Sequence, residues 1–488
     1  MLFLGIDAGT QGVRAAVVSP QGETVAESAY AYPVLNLAAP GQGPNRYEQS
    51  PRDWWEALCQ VVRDCVKKLL RPEEIAAVSL CGTSGTINHQ DREGNPLGNA
   101  ILYNDLRSAG KAGEIRERAP GLEDRLGYRM GASFSLPRMI WYREEATEVW
   151  DRCRILLHQA DYLLWKLSGE WVTDNTNALK AGYDVLAGEW PRELEDCLGL
   201  DRRKLPQVVS PGEIIGRILP QAAAELGLSP DTQIAAGATD AYAAVLTAGA
   251  VSPGDSVSVL GTTLVCKVVA ENRVLDPSGV GYPYRMPEGR WLIGGATNLG
   301  GRCVGEVAGG DYKGMDAEAE RLIPTGVRCY PLYGKGERFP FSDPEAEPFF
   351  RGNLFGGRLY PALMEGVAYG ERLCYQRLEE LGCALGPEVR ATGGASRSRV
   401  WLKIRASILN KPILVPQALT SAVGCAMLAA AGELGGLGKA ARAMSRTRLT
   451  VLPDPALTGP YEELYQRFRE ECQAEYGIVT SPGKGGSK

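Results

Sequence analysis

Short apolar runs alternate with glycine- and hydroxyl-rich turns from the start of the chain. Leu2-Phe3-Leu4-Gly5-Ile6 ends in Asp7, the turn Ala8-Gly9-Thr10-Gln11-Gly12 follows, and an apolar run resumes over 13–18. Two such runs divided by so small a turn predict a β-hairpin, and a turn at 20–22 with a third strand over 23–30 extends it into an antiparallel meander. Ser50, Pro51 and Asp53 then supply helix-starting chemistry. Trp54, Leu58, Val61, Val62, Cys65 and Leu69 recur at helical spacing, so one face of that helix is expected to pack on the sheet. A buried strand over 75–80 leads into Cys81-Gly82-Thr83-Ser84-Gly85-Thr86, and a further strand leads into Leu102-Tyr103-Asn104-Asp105.

Residues 106–230 read as charged helices, with Trp141, Trp150, Trp165 and Trp190 interleaved, inserted over the first sheet. His158 before Gln159-Ala160-Asp161 fits a core or capping residue at a helix start. The run 234–240 is an apolar strand ending in Thr239 and Asp240, with a tightly packing helix over 241–250. Residues 255–266 then repeat the opening: strand, Gly261-Thr262-Thr263 turn, strand. Two hairpins of one kind about 250 residues apart suggest a duplicated domain. Later come a small-residue junction over 294–301 that includes Gly295, an amphipathic helix over 363–380, and a strand, glycine turn and helix over 389–401. A small-residue helix over 420–431 and a charged helix over 461–476 precede a tail of disordered composition, 479–488.

Length changes the picture first, since 488 residues exceed what one core usually organises, and two large domains follow. A net charge of -5 supplies no basic footprint for nucleic acid. The twelve cysteines lack C-x-x-C spacing, and only His89 and His158 could join them at a metal, so free thiols in a reducing cytosol are expected. The N-terminus has no basic lead before an apolar run, and the most apolar long window, 234–251, carries Asp240. Both argue for a cytoplasmic protein without membrane spans.

The candidate chemistry sits in the turns. Gly9 and Gly12 permit close backbone approach to an anion, with Thr10 and Gln11 as further donors, and Asp7 at the strand mouth can hold hydrated magnesium against phosphate. An ordinary hairpin whose aspartate caps the turn accounts for the same residues. Thr83 and Ser84 follow a strand end, a common place for a small polar ligand, and Asn104 with Asp105 offers the paired donor and acceptor that a polyol needs. Plain loops account for these too. Asp240 either caps its helix or, held ionised at the helix start, serves as a general base. No Walker A loop exists, because every Gly-Lys pair is followed by Ala or Gly.

Taken in order, these segments resemble the actin, Hsp70 and hexokinase superfamily, and within it the FGGY carbohydrate kinases. Residues 133–141 are similar to that family's first signature, with Arg138 where lysine is usual, and 361–378 to its second. The resemblance implies an α/β fold of two duplicated ribonuclease H-like, actin-like ATPase domains with a nucleotide cleft between them. Its domains would be 1–246, binding sugar, and 247–478, binding ATP. It implies ATP with Mg2+ as cofactors, a small-molecule sugar as partner, no nucleic acid or membrane, and a monomer or homodimer. Carried over by residue, it makes Asp240 the base and Asp7 the magnesium-associated carboxylate. Thr10, Gln11, Gly261, Thr262 and Thr263 fall around the nucleotide phosphates, and Gly295 counts among the cofactor-binding residues. Gly394, Ala395 and Ser398 line the adenosine pocket, with Ala395 in place of a frequent third glycine. Thr83, Ser84, Asn104 and Asp105 face the sugar together with Asp7 and Asp240. Xylulose kinases typically carry Gln-Met-His-Gly where this chain has Gly82-Thr83-Ser84-Gly85. That difference makes the chain look like cyanobacterial and plant D-ribulokinases once grouped with them, so D-ribulose is the expected acceptor. D-xylulose, L-ribulose and glycerol are the alternatives within the family, and an actin- or Hsp70-type ATPase switch or a polyphosphate phosphatase outside it.

Overall fold

A computed structural model describes residues 1–36 and 46–478, so the tail over 479–488 lies outside the described residues. The chain forms two compact units. The first comprises Met1–Thr247 and Thr420–Ser445; the second begins at Ala248, runs to Leu419 and resumes at Arg446.

In the first unit, β1 (Leu2–Gly9), β2 (Gly12–Val18) and β3 (Thr24–Ala31) form the expected antiparallel meander. The helix α1 (Pro51–Val66) leads to β4 (Ile75–Gly82), which lies parallel to β1. After α2 (Gln159–Ser168), the strands β5 (Ile214–Arg217) and β6 (Gln233–Ala235) complete a sheet of order β5-β6-β4-β1-β2-β3. A two-residue strand, β7 (Ala238–Thr239), also pairs with β4, and α3 (Asp240–Thr247) follows directly.

Local chemistry explains these boundaries. The Ser50 hydroxyl accepts the Arg52 N–H at 3.2 Å, and Pro51 occupies the first turn of α1, where no N–H is needed. Trp54, Leu58, Val61, Val62 and Cys65 are fully buried against the sheet. Each contributes roughly 1.5–3 kcal/mol relative to exposure. α1 stops at Val66, so Leu69 packs on the core from beyond the helix.

Two expectations change. The region 106–230 is not helical throughout: it also holds the strands Ile155–His158, Val172–Asp174, Gln207–Val209 and β5. Strands of three or four residues are too short to show a period among charged neighbours. The first unit runs to Thr247 and also takes in Thr420–Ser445, so the part of the chain after 247 is not one continuous C-terminal domain. Its helix Ser421–Ala430 is buried from Ala422 onward and lies directly on β1 and α3. A Cβ on Gly5 would stand 1.9 Å from the Ala422 carbonyl oxygen, and one on Gly424 would stand 2.0 Å from that of Ala243. Small residues on both sides allow this approach.

The second unit repeats the frame. β8 (Ser256–Leu260), β9 (Leu264–Ala270) and β10 (Trp291–Thr297) form an antiparallel meander. After α4 (Leu359–Glu380), β11 (Val389–Thr392) pairs parallel to β8; after α5 (Arg399–Leu409), β12 (Ile413–Pro416) pairs parallel to β11. β13 (Thr447–Val451) closes the edge antiparallel to β12, giving β10-β9-β8-β11-β12-β13 beside the short strand Tyr284–Arg285. Strand for strand, order and direction match β3-β2-β1-β4-β6-β5. The fold is therefore α/β in two duplicated halves, as expected from the paired hairpins.

Candidate active site

Register gathers the first unit's polar residues at one end of its sheet. Asp7 pairs with Cys81 and Ala8 with Gly82 across β1 and β4; Cys81 pairs with Ala238 and Gly82 with Thr239 across β4 and β7. The carboxyl ends of three parallel strands thus bring together Asp7, the loop from Thr83 and Ser84, and Asp240. Ligands of α/β sheets bind at such strand ends. Glycine is required here for room: a Cβ on Gly82 would stand 2.8 Å from the Ala160 nitrogen, and one on Gly237 would stand 2.2 Å from the Leu80 carbonyl oxygen.

Asp7 is nearly buried, and that burial raises its carboxyl above the ordinary carboxylate range against the opposing pull of Arg14. Arg14 faces it across the hairpin with Nη1 3.8 Å from Oδ2, and the Cys81 thiol donates to Oδ1 at 3.5 Å. Asp240 opens α3, and its Oδ1 accepts the Ala241 N–H at 2.7 Å. Burial, reinforced by the negative charge of Asp7, pushes its carboxyl up to about 6, while the Ala241 N–H and the Lys180 ammonium act the other way. A carboxyl poised there is ionised at neutral pH yet basic enough to take a proton.

The hairpin turn is held from behind. The Tyr32 hydroxyl donates to the Gly9 carbonyl, Gln49 Nε2 donates to that of Thr10 at 2.6 Å, and the Tyr32 N–H donates to that of Gln11 at 3.2 Å. Trp54 Nε1 in turn donates to Gln49 Oε1 at 3.0 Å. Three consecutive carbonyls are thereby fixed. Thr10 and Gln11 stand at the turn with their side chains half-buried and exposed respectively.

Thr83 and Ser84 divide in role. Thr83 is buried, with its N–H and hydroxyl both on Gln159 Oε1, at 2.9 and 2.8 Å. Ser84 Oγ is buried without a partner, as is Oγ1 of Thr239, which leaves two hydroxyls for a ligand to satisfy. Asp105 differs from the expectation of a sugar ligand. It is fully buried, and its oxygens accept from the Tyr47 N–H at 2.7 Å, the Arg107 N–H at 2.9 Å, and Arg107 Nε and Nη2 at 2.9 and 2.8 Å. Its carboxylate anchors the loop, while Asn104 is exposed. Arg138 supports the same loop by donating to the Leu102 and Tyr103 carbonyls.

In the second unit, the Gly261-Thr262-Thr263 turn joins β8 to β9, and the Gly261 carbonyl accepts the Gly301 N–H at 2.8 Å. Apart from their neighbours along the chain, nothing lies within 4 Å of where a Cβ would stand on Gly261 or Gly394, so both leave open backbone. Gly295 has another reason to be glycine: the Phe339 ring occupies its Cβ direction at 2.6 Å, inside the unit. The Ser398 hydroxyl accepts the Trp401 N–H at 3.1 Å as the cap of α5, and Ala395 lies in the short turn before it. The glycine the turn cannot lose is Gly393, with φ +90° and a Cβ direction blocked 2.5 Å away by the Leu260 carbonyl oxygen.

Magnesium with a nucleotide suits this donor set. Among the described residues no cluster of three or more His, Cys, Asp or Glu is arranged to hold a bare metal ion. Hydrated magnesium shared with phosphate asks for only one or two carboxylates, and Asp7 supplies one. Among the described residues no helix is long and apolar enough to cross a membrane.

Sequence reasoning did not single out Tyr32, Gln49, Gln159 or Lys180 for the site. Lys180 is buried, with its ammonium 4.0 Å from the Phe134 ring centre. Gln49 lies one residue before a recognised helix cap and Gln159 one after a recognised histidine, but neither place signals what the side chain reaches.

Comparison with known proteins gives a consistent result. Residues 2–247 match the N-terminal domain of the FGGY family of carbohydrate kinases, and residues 256–433 match its C-terminal domain. A xylulose kinase of Streptomyces rubiginosus is 31% identical over 98% of this chain and 96% of its own. A gluconokinase of Bacillus subtilis is 26% identical over 86% of this chain and 85% of its own. Among solved structures, one described as a xyloylose kinase from Brucella ovis superposes with a TM-score of 0.87 at 27% identity, covering 98% of this chain and all of that one.

Proposed function

Since the chain belongs to the FGGY family of carbohydrate kinases, we propose that it transfers the terminal phosphoryl group of ATP to the 5-hydroxyl of a ketopentose, D-ribulose, with Asp240 as the base. The observation that carries the proposal is Asp240 itself, at the start of α3 and at the mouth of three converging strands, with its carboxyl pushed up to about 6. Asp240 accepts the hydroxyl proton as that oxygen bonds to phosphorus and the bond to the ADP oxygen breaks. Phosphoryl transfer asks mainly for in-line positioning and charge neutralisation. Ser84 and Thr239 offer hydroxyls to orient the sugar, and the Gly261-Thr262-Thr263 turn offers open backbone to the nucleotide. Magnesium bound with the nucleotide would supply positive charge to the phosphate oxygens near Asp7.

D-ribulose is favoured by the absence of a histidine from Gly82-Thr83-Ser84-Gly85, where the small, unpartnered Ser84 stands instead. D-xylulose is the second reading, favoured by the names of several relatives. An ADP-release assay over D-ribulose, D-xylulose, L-ribulose, glycerol and no sugar separates them. D-ribulose should give the highest kcat/KM, and a higher value for D-xylulose would replace it. ADP release that ignores every sugar would remove the kinase reading.

A further inference from the structure

We infer that Thr176 and Asp174 are positioning residues for Asp240, acting through a hydrogen-bonded relay that grips the main chain one residue before it. The inference rests on the reading of Asp240 as the base. Asp174 caps the short helix Asn175–Ala178: its Oδ1 accepts the N–H groups of Thr176 and Asn177 at 2.8 and 3.1 Å, and its Oδ2 accepts the Asn177 side-chain amide at 2.7 Å. A cap needs no more than this. Here the Thr176 hydroxyl also donates to Asp174 Oδ1, and it accepts the N–H of Thr239 at 2.9 Å.

Thr239 ends β7, a strand of two residues whose ladder runs to β4. The Thr176 hydroxyl satisfies its N–H from another segment, as a neighbouring strand otherwise would. Because that hydroxyl both donates and accepts, the aspartate fixes its direction. Asp174, Thr176, Asn177 and Thr239 are all at most 2% exposed, so water has no access to replace a lost member. A buried N–H left unpaired is costly, and the strand end would shift to find a partner. Asp240 follows at once and would move with it, and a displacement of about 1 Å costs on the order of 100-fold in rate.

The test uses the full-length protein with D-ribulose and ATP, comparing Thr176→Val, Thr176→Ala, Thr176→Ser and Asp240→Asn in kcat and KM. Thr176→Val should lower kcat by about 10- to 100-fold with both KM values within about threefold. Thr176→Ser, which keeps the hydroxyl, should recover kcat to within about threefold of the parent. Parent-like kcat in Thr176→Val, or equal impairment in Thr176→Ser, overturns the inference. Should Thr176→Val fail to fold, Thr176→Ala decides: it removes the same hydroxyl and leaves the Asp174 cap in place, and an unchanged kcat overturns the relay. Inactive Asp240→Asn beside active Thr176→Val ends the relay alone, whereas active Asp240→Asn removes the base and the relay with it.

Discussion

Two residues before the Gly9-Thr10 pair of the first hairpin stands Asp7; two residues before the corresponding Gly261-Thr262 pair stands Val259. Asp7 faces an arginine whose side chain is 55% exposed, at an open strand end. The second unit has its own acidic and basic pair, Glu371 on α4 and Arg405 on α5, but both are wholly buried, with Arg405 Nε and Nη2 2.7 and 2.9 Å from the carboxylate. Arg405 also donates to Ser258 of β8 at 2.7 Å, tying two helices to the strand. The two halves share a sheet order, yet this pair of the first stands at a strand mouth while that of the second is sealed between two helices and a strand.

Breaking the sealed side should show the largest effect. Arg405→Met leaves Glu371 buried and unpaired, and chemical denaturation should record a loss of about 3–5 kcal/mol. A loss below about 1 kcal/mol would show that the pair is not the framework it looks to be.

On the open side, Asp240→Ala should lower sugar-dependent ADP release by at least about 100-fold while leaving nucleotide affinity near normal. Titration calorimetry and the coupled assay check the two halves of that statement, and near-parental turnover would take Asp240 out of the reaction.

The base must be ionised to act, so its raised carboxyl predicts that kcat/KM falls as pH drops through about 6. Lys180 favours the ionised form, so Lys180→Met should move that acid limb to higher pH. A flat profile between pH 7 and 5 would contradict the assignment. Smallest of all, Ser84→Ala should raise KM for the ketose by about two- to tenfold, the worth of one hydrogen bond.

Much of the frame was legible in the sequence because its signals are local. The hairpin at Asp7, its repeat at Gly261 and the strand ending at Asp240 each announce themselves within a dozen residues. What escaped was decided by pairings that no local signal announces. Asp105 reads as a ligand until Tyr47 and Arg107 claim its oxygens. That Phe339 fills the space above Gly295 is likewise invisible in the sequence. The short strands within 106–230 carry too few residues for alternation to register. The hold of Thr176 on Thr239 joins residues 63 positions apart, and neither type of side chain advertises it.

The helix Ser421–Ala430 lies on the very first strand of the chain, with Ala422 against Gly5. During synthesis, then, the opening strand waits for more than four hundred later residues before its covering layer exists. A nascent chain halted at Thr247 would present that bare sheet face to chaperones or to its neighbours. For this protein the N-terminal unit is begun first, yet it is completed only after most of the second has been made.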